Sequence, residues 1–265
     1  MVMRVLGRVS QPFRLRVLPA ALRSMATSSS PTFNRVQIKR DDQSFDAYVL
    51  GEPAAPGIVV LQEWWGVDYE VKNHAAFIAS KGFRTLIPDL YRGKVGLDAA
   101  EAQHLMDDLD WSGAVKDVAE SVKWLKENGS PKVGATGFCM GGALSLASSV
   151  LVPGLDAAVA FYGTPSPELA DVSKVKIPVQ AHFGELDNVA GFSDKSAAQS
   201  LKEKLKASGV SHEVHMYPGV GHAFLNSSPE GKKRKADCGF GEHEDAAVSL
   251  AWSRFEAWFR KYLQA

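Results

Sequence analysis

The sequence predicts a single α/β domain with a mainly parallel central sheet flanked by helices. From about residue 32 onward, short apolar segments alternate with longer amphipathic ones. Several short segments are almost continuously apolar, as expected for strands covered on both faces of a sheet. Strands that alternate with helices of this length favour a parallel sheet. No repeat or low-complexity linker divides residues 32–265, which indicates one domain.

The predicted strands are rich in branched residues. In chain order they are FNRVQIKR, FDAYVLGE, GIVVLQEWW, FRTLIPDLY, KVGATGF, DAAVAFYG, IPVQAHFGELD and HEVHMYP. Apolar positions at helical spacing predict helices over 69–81, 115–128, 139–151, 193–208 and 245–263, the last docked on the sheet. Ligands of open α/β sheets bind at the carboxyl ends of the strands, so the polar residues after each strand are candidates for a site.

Composition and charge exclude several classes of function. The chain has 265 residues, of which 45% are hydrophobic and 23% charged, as in an ordinary globular protein. No stretch of about 18 apolar residues occurs, so we expect no membrane-spanning helix and no membrane partner. Thirty basic and thirty acidic residues balance each other, which argues against a nucleic-acid partner.

Residues 1–30 differ in composition from the rest of the chain. They contain no acidic residue and no lysine, but five arginines: Arg4, Arg8, Arg14, Arg16 and Arg23. An arginine-rich, acid-free segment that ends in serines is typical of an organellar transit peptide. We therefore expect residues 1–30 to be disordered and to direct the chain to mitochondria or, alternatively, to plastids. Initiation at Met25 would give a cytosolic form, and an extension without targeting function is the simpler alternative.

The two cysteines, Cys139 and Cys238, are not arranged as a metal or dithiol motif. No CxxC spacing occurs, so neither a zinc site nor a thioredoxin-like centre is predicted. An organellar or cytosolic chain seldom keeps a disulfide, which favours Cys139 as a free thiol. We expect no metal and no cofactor.

The segment TGFCMGG presents Cys139 as a candidate nucleophile. Gly137, Cys139 and Gly141 fit the pattern G-x-nucleophile-x-G, with a predicted strand before it and a predicted helix after it. That context is the nucleophile elbow, a tight turn that exposes a reactive side chain at the end of the sheet. The helix N-terminus is expected to favour the thiolate. The alternative is a small cysteine that fills the core.

A nucleophile of this kind needs a base and an acidic residue that orients the base. In α/β-hydrolases, the acid and then the histidine follow the nucleophile along the chain. Asp187 follows a predicted strand, and His222 follows the next one in a glycine-rich loop. Glu185 and Asp194 compete with Asp187 for the acidic role, although Asp194 also suits the N-cap of a helix.

The segment LQEWWG follows the third predicted strand and suggests two further roles. The backbone N–H groups of Trp64 and Met140 are candidates for an oxyanion hole. Glu63 lies between an apolar run and two tryptophans. A carboxylate beside a thiol raises the pKa of the thiol or accepts its proton, so Glu63 is predicted to be catalytic or gating rather than a surface charge.

The motifs QEWWG, PDLYRG, GFCMGG, GELD and GHAF, in this order, resemble the dienelactone hydrolase family (carboxymethylenebutenolidase and its homologues). The resemblance covers essentially all of residues 31–265. It implies an α/β-hydrolase domain with a Cys139–His222–Asp187 triad, an acyl-cysteine intermediate, and enol-lactones or small esters as substrates. It also implies that Glu63 contacts the resting cysteine and moves when substrate binds, and that the protein is a monomer or weak dimer.

The chain also departs from the family. Asn226 occupies the position of an arginine that grips the substrate carboxylate in the bacterial lactonases, and asparagine lacks that charge. Arg92 lies near the position of a second such arginine, with its register shifted by one, or is simply a solvated loop charge. Trp64, Trp65 and Tyr91 either line an apolar pocket for a neutral ester or larger lactone, or belong to the core.

The basic segment KKRK at 232–235 resembles a nuclear-localisation sequence but is interpreted as a solvated loop cluster. The sequence thus predicts a cysteine-dependent lactone or ester hydrolase. A non-catalytic small-molecule receptor on the same fold is one alternative. A redox-sensing thiol with Cys238 as its resolving partner is another.

Overall fold

One mixed sheet forms the centre of the computed structural model, which describes residues 31–241 and 244–264. Its strands are β1 (Asn34–Arg40), β2 (Gln43–Leu50), β3 (Gly57–Leu61), β4 (Arg84–Pro88), β5 (Val133–Phe138), β6 (Ala157–Phe161), β7 (Val179–Gly184) and β8 (His212–Tyr217). The strand order is β1-β2-β4-β3-β5-β6-β7-β8. β2 is antiparallel to β1 and β4, and the strands from β4 to β8 run parallel. All eight predicted strands are confirmed, whereas the transit-peptide prediction falls on residues outside the described part.

Helices flank this sheet. They are α1 (Tyr69–Ser80), α2 (Ala99–Asp107), α3 (Trp111–Glu127), α4 (Met140–Leu151), α5 (Lys195–Ser208), α6 (Pro229–Asp237) and α7 (Asp245–Leu263). The five predicted helices are confirmed with small shifts at their ends, while α2 and α6 were not predicted. Within the described ranges, no helix has the length and hydrophobicity needed to cross a bilayer.

Helix α6 corrects the prediction of a loop at KKRK. Ser228 caps the helix by accepting a hydrogen bond from the Gly231 N–H (2.9 Å), and Pro229 begins its first turn. The helix has little apolar character, so its periodicity gives no signal, although its capping residues do. Lys232 is exposed, but Lys235 of the same basic run is buried.

The two faces of the sheet pack against separate sets of helices. Along β3, Ile58 and Val60 belong to one hydrophobic cluster, and Val59 and Leu61 belong to another. All four side chains are fully buried, as the continuous apolar pattern predicts for a strand covered on both faces.

The C-terminal helix α7 docks directly on the sheet, as predicted. Its Phe259 lies against Gly134 of β5, where an added Cβ would be only 2.4 Å from the Phe259 ring. This close approach brings the helix onto the central strands. The carboxyl ends of the parallel strands β3, β5, β7 and β8 lie at one edge of the sheet, and the predicted site residues follow them there.

Candidate active site

Cys139 lies in a strained turn between β5 and α4. Its backbone has φ 53° and ψ −117°, a conformation that non-glycine residues rarely adopt. Its N–H donates to Phe161 O (3.1 Å), and its carbonyl accepts from the Ala143 N–H (3.1 Å). A Cβ on Gly137 would lie 2.1 Å from the Gly141 carbonyl oxygen, so only glycine fits there. The turn has the form of a nucleophile elbow, with the side chain directed away from the strand.

His222 and Asp187 form a buried pair at the ends of β8 and β7. His222 Nδ1 lies 2.8 Å from Asp187 Oδ2, and the side chains are almost fully buried. Asp187 is held in turn, because its Oδ1 accepts from the Val189 N–H (3.0 Å). Since the carboxylate is the strongest acceptor near Nδ1, the Nδ1–H donates to it. His222 Nε2 is therefore left with a lone pair that can accept a proton.

The two other carboxylates that were candidates for the acidic role, Glu185 and Asp194, lie elsewhere. Glu185 is exposed. Asp194 caps α5, where its carboxylate accepts from the Ala197 N–H (2.9 Å). Of the three carboxylates that the sequence offered, Asp187 is the one that contacts the histidine.

Cys139 and His222 line the same small cavity. Glu63, Trp64, Trp65 and Asn226 also contribute to its wall, and its volume is about 10 Å³. A volume of roughly 10–15 Å³ holds one water molecule, so the cavity must open or rearrange before it admits a substrate. The two tryptophan rings contact each other edge to face at 5.1 Å between centroids.

Glu63 is a buried acid and not a surface charge. Its side chain is 6% exposed, and Asn226 Nδ2 donates to its Oε2 (2.9 Å). The Tyr162 hydroxyl lies 3.5 Å from Oε1. Burial raises the pKa of Glu63 from 4.5 to about 8, and the hydrogen bond from Asn226 opposes this only in part. Glu63 is therefore mainly protonated at neutral pH.

Asn226, a predicted substrate-binding residue, lines the cavity and also contacts two other buried side chains. Besides donating to Glu63, it accepts a hydrogen bond from His74 Nε2 (3.3 Å) through its Oδ1. His74 lies on α1, and no sequence motif singled it out. Asn226 thus connects α1 to Glu63 and holds the acid in place.

The expected thiolate at Cys139 is not the resting state. Burial raises the pKa of the thiol well above its ordinary value, and the nearby Glu63 raises it further. The Met140 N–H, at the start of α4, lowers the pKa but does not compensate for burial. The helix N-terminus acts in the predicted direction, yet desolvation outweighs it, so the thiol is protonated in this closed site.

The raised pKa of Glu63 predicts a pH-dependent stability difference between the wild type and Glu63→Gln. The unfolded chain loses this proton near pH 4.5, whereas the folded chain keeps it to about pH 8. The stabilising contribution of neutral Glu63 is thus complete below about pH 4.5 and is lost progressively as the pH rises to about 8. Glutamine keeps the acceptor for Asn226 but does not titrate.

We expect the free energy of unfolding of the wild type to fall relative to that of Glu63→Gln between pH 5 and pH 8. Urea unfolding of both proteins at several pH values measures this, because titrations common to both cancel in the difference. A difference that does not vary with pH would contradict the raised pKa.

Two predicted substrate-binding residues do not reach this cavity. Arg92 pairs with the buried Asp117 at 2.7 Å and lines a separate surface cavity of about 320 Å³. The Tyr91 hydroxyl donates to Met140 Sδ (3.2 Å), so Tyr91 packs beside the elbow as a core residue. Neither residue lines the closed cavity, because Asp117 engages the arginine and burial encloses the tyrosine.

Five residues of the cavity wall lay outside the predicted site residues: Ala223, Arg234, Lys235, Cys238 and Phe240. Arg234 and Lys235 belong to α6, whose basic run was predicted to be a loop, and Cys238 is at its C-terminus. Both cysteines are free thiols in the structure. In the part of the chain that the structure describes, no group of three His, Cys, Asp or Glu side chains is placed to hold a metal ion.

Comparison with known proteins identifies the family. A model of the dienelactone hydrolase family matches residues 45–263. Protein usf of Aquifex pyrophilus is 33% identical over 218 residues, which cover 78% of this chain and 89% of that protein. A carboxymethylenebutenolidase of Pseudomonas putida is 29% identical over 209 residues, or 71% of this chain and 86% of the relative.

Comparison with solved structures supports the predicted fold. The crystal structure of a dienelactone hydrolase-like promiscuous phosphotriesterase from metagenomic libraries superimposes with a TM-score of 0.76 at 20% identity, covering 87% of this chain and 98% of the other. The predicted α/β-hydrolase fold is thereby confirmed. Because the family model spans most of the sequence, including every motif described above, the chain belongs to the dienelactone hydrolase family.

Proposed function

We propose that this lactone or ester hydrolase acts through a covalent acyl intermediate on Cys139, with His222 as the general base and Asp187 as its orienting partner. The observation that carries the proposal is that the Asp187-bound His222 lines the same cavity as the cysteine of the elbow. No hydrogen bond joins Cys139 to His222 within residues 31–241 and 244–264. Such contacts often form only when substrate is bound.

In the acylation step, His222 Nε2 removes the thiol proton and the sulfur attacks the substrate carbonyl carbon. The carbonyl electrons move to oxygen, and the N–H groups of Met140 and Trp64 are the proposed donors to this oxyanion. The contact of the Met140 N–H with the thiol supports its part in this role. Collapse of the oxyanion breaks the C–O bond, and the leaving oxygen takes the proton from His222.

In the deacylation step, His222 takes a proton from water, and the resulting hydroxide attacks the thioester. The C–S bond then breaks, and the sulfur regains its proton from His222. The acyl group leaves as a carboxylic acid, which for a lactone is the opened hydroxy acid. Every proton returns to its starting position, so the reaction needs only water as its co-reactant.

Glu63 is proposed to control when Cys139 becomes reactive. In the closed site, burial keeps the thiol protonated, and the carboxylate form of Glu63 opposes its ionisation further. A substrate that displaces Glu63 removes the second effect, and the thiol proton then transfers to His222 Nε2. This arrangement keeps the thiol unreactive until a substrate occupies the cavity.

The acyl intermediate is the testable species. Brief exposure of the wild type to a panel of small lactones, aryl esters and thioesters is expected to add the mass of one acyl group, located on the peptide that contains Cys139. Intact-protein mass spectrometry followed by peptide mapping measures this and ranks the substrate classes. No adduct and no turnover across all three classes would instead support a non-catalytic small-molecule receptor.

Cys238 provides the observation that favours a second candidate function, a redox-sensing thiol pair. Cys238 lines the same cavity as Cys139, and it is the smallest of the influences, after burial and Glu63, that raise the pKa of that thiol. Oxidation by a peroxide would then join the two sulfurs, with loss of two hydrogens from the protein and formation of water. Because the mass change differs from acylation in sign, the same measurement distinguishes the two functions.

A further inference from the structure

A buried hydroxyl group lies against the ring nitrogen of His222 that faces Asp187. Ser193 is fully buried, and its Oγ lies 3.0 Å from His222 Nδ1. The same nitrogen lies 2.8 Å from Asp187 Oδ2, so two oxygens approach one ring nitrogen. Neither the sequence motifs nor the mechanism proposed above gives Ser193 a role.

The Ser193 hydroxyl accepts the hydrogen bond from this nitrogen. An ionised carboxylate is an acceptor only, so Nδ1 carries the ring proton and directs it at Asp187. If the hydroxyl donated to Nδ1 instead, the carboxylate would face a lone pair of the ring. Ser193 Oγ therefore shares the Nδ1–H of His222 with Asp187 Oδ2 in a three-centre hydrogen bond.

The loop between β7 and α5 fixes both oxygens in place. The Val189 carbonyl accepts from the N–H groups of Ser193 (3.1 Å) and Asp194 (3.3 Å). The Val189 N–H donates in turn to Asp187 Oδ1 (3.0 Å). One short loop thus carries the carboxylate and the hydroxyl, and Val189 connects them, so the spacing of the two acceptors around Nδ1 is well defined.

Aromatic rings pack around His222 and leave these oxygens to meet its charge. Tyr162 and Phe240 contact the imidazole edge to face, with 5.1 and 4.8 Å between ring centroids. These contacts restrict the ring but supply no acceptor at Nδ1. When His222 takes a proton, the described residues that meet the new charge at Nδ1 are Asp187 and Ser193.

We propose that Ser193 is a positioning residue of this hydrolase, which holds the Nδ1–H of His222 together with Asp187 and so keeps Nε2 directed at the cavity. The inference rests on the proposed function of Cys139, since it concerns the base of that reaction. Ser193 does not line the cavity and acts through the histidine. Hydrogen bonds from a charged donor are stronger than those from a neutral one, so Ser193 stabilises the imidazolium more than the resting ring.

Steady-state kinetics with 4-nitrophenyl acetate measure this contribution. In Ser193→Ala, we expect kcat to fall about tenfold, the factor by which a hydrogen bond to a charged group exceeds one between neutral groups. KM should hardly change, because the imidazolium forms during the reaction and not on binding. Ser193→Thr keeps the hydroxyl group and is expected to restore most of the lost rate.

Ser121→Ala is the matched control, since it removes another fully buried hydroxyl group. The Ser121 hydroxyl donates to the Asp117 carbonyl (2.7 Å) within α3 and does not contact His222. We expect its kcat to equal that of the wild type, although the variant loses a buried hydrogen bond as Ser193→Ala does. Urea unfolding verifies that both alanine variants are folded under the assay conditions.

A double-mutant cycle with Asp187→Asn separates positioning of the ring proton from a merely structural role. The amide of Asn at position 187 donates to Nδ1, so the ring proton moves to Nε2 and Ser193 has no proton to accept. Adding Ser193→Ala to Asp187→Asn should therefore lower kcat by less than about twofold. The same tenfold loss in both backgrounds would mean that Ser193 only supports the loop, and it would overturn the inference.

Nuclear magnetic resonance of protein with isotope-labelled histidine observes the shared proton without turnover. The Nδ1–H resonance of His222, assigned by its absence from His222→Gln, is expected to change position in Ser193→Ala and to stay in place in Ser121→Ala.

The spectrum and the kinetics together distinguish this inference from the proposed function. An unchanged resonance in Ser193→Ala, or a kcat equal to that of the wild type, would overturn the inference and leave the acyl-cysteine mechanism intact. Absence of any lactone or ester turnover by the wild type would overturn that mechanism instead, and a shifted resonance would still support the contact of Ser193 with the ring proton.

Discussion

Cys139→Ala is expected to lower kcat/KM for lactones and esters by about 10⁴-fold or more and to eliminate the acyl adduct. Alanine has no group that can attack the carbonyl, and the remaining oxyanion donors and binding contacts supply only residual acceleration. The side chain is small, so the change leaves the elbow intact. Turnover kinetics and intact-protein mass, measured on the same preparations, follow both effects.

Cys238→Ala is the matched control for this variant. It removes the second thiol that lines the cavity, and both adduct and turnover should persist in it. An adduct that survives in Cys139→Ala but disappears in Cys238→Ala would identify Cys238 as the nucleophile and contradict our mechanism. Loss of activity in both variants would favour a function that needs the two thiols together.

Asp187→Asn is expected to lower kcat by about 10²–10⁴-fold with a much smaller change in KM. An amide at this position donates to His222 Nδ1 where the carboxylate now accepts from it. The ring proton then moves to Nε2, and the nitrogen that faces the cavity loses its lone pair. The variant should fold, because asparagine has nearly the same shape and its oxygen can still accept from the Val189 N–H.

Glu185→Gln is the control that the structure offers for Asp187→Asn. The two carboxylates are two residues apart in the sequence, but Glu185 is exposed and Asp187 is buried against the histidine. Steady-state kinetics of Glu185→Gln should match the wild type within about twofold, as for most surface substitutions. Equal rate losses in the two variants would mean that Asp187 acts through the loop and not through His222.

Much of the fold could be predicted because its signals are local in the sequence. Runs rich in branched residues identified the strands, and those from β3 to β7 are fully buried, as strands covered on both faces must be. Helix α6 was missed because its polar composition gives no periodicity, and it is held instead by Ser228, Glu70 and the Arg234–Asp68 pair. Its position depends on α1, which is far away along the chain.

The order of Cys139, Asp187 and His222 was also predictable, because the elbow motif is local and the chain order of its partners is fixed in this fold. Sequence spacing could not choose between Asp187 and Glu185. It also gave no indication that Arg92 pairs with Asp117, since that ion pair depends on how α3 packs beside the β4 end of the sheet.

The sequence by itself determined the α/β fold, the elbow at Gly137–Gly141 and the identity of the candidate nucleophile and base. The tertiary structure alone decided the charge states of the site. Glu63 holds its proton and Cys139 stays a thiol because residues from α1, α4 and the β6 end exclude water around them. Lys235, part of a basic run that its sequence pattern did not distinguish, becomes a buried residue of the cavity wall for the same reason: burial depends on groups that are distant in sequence.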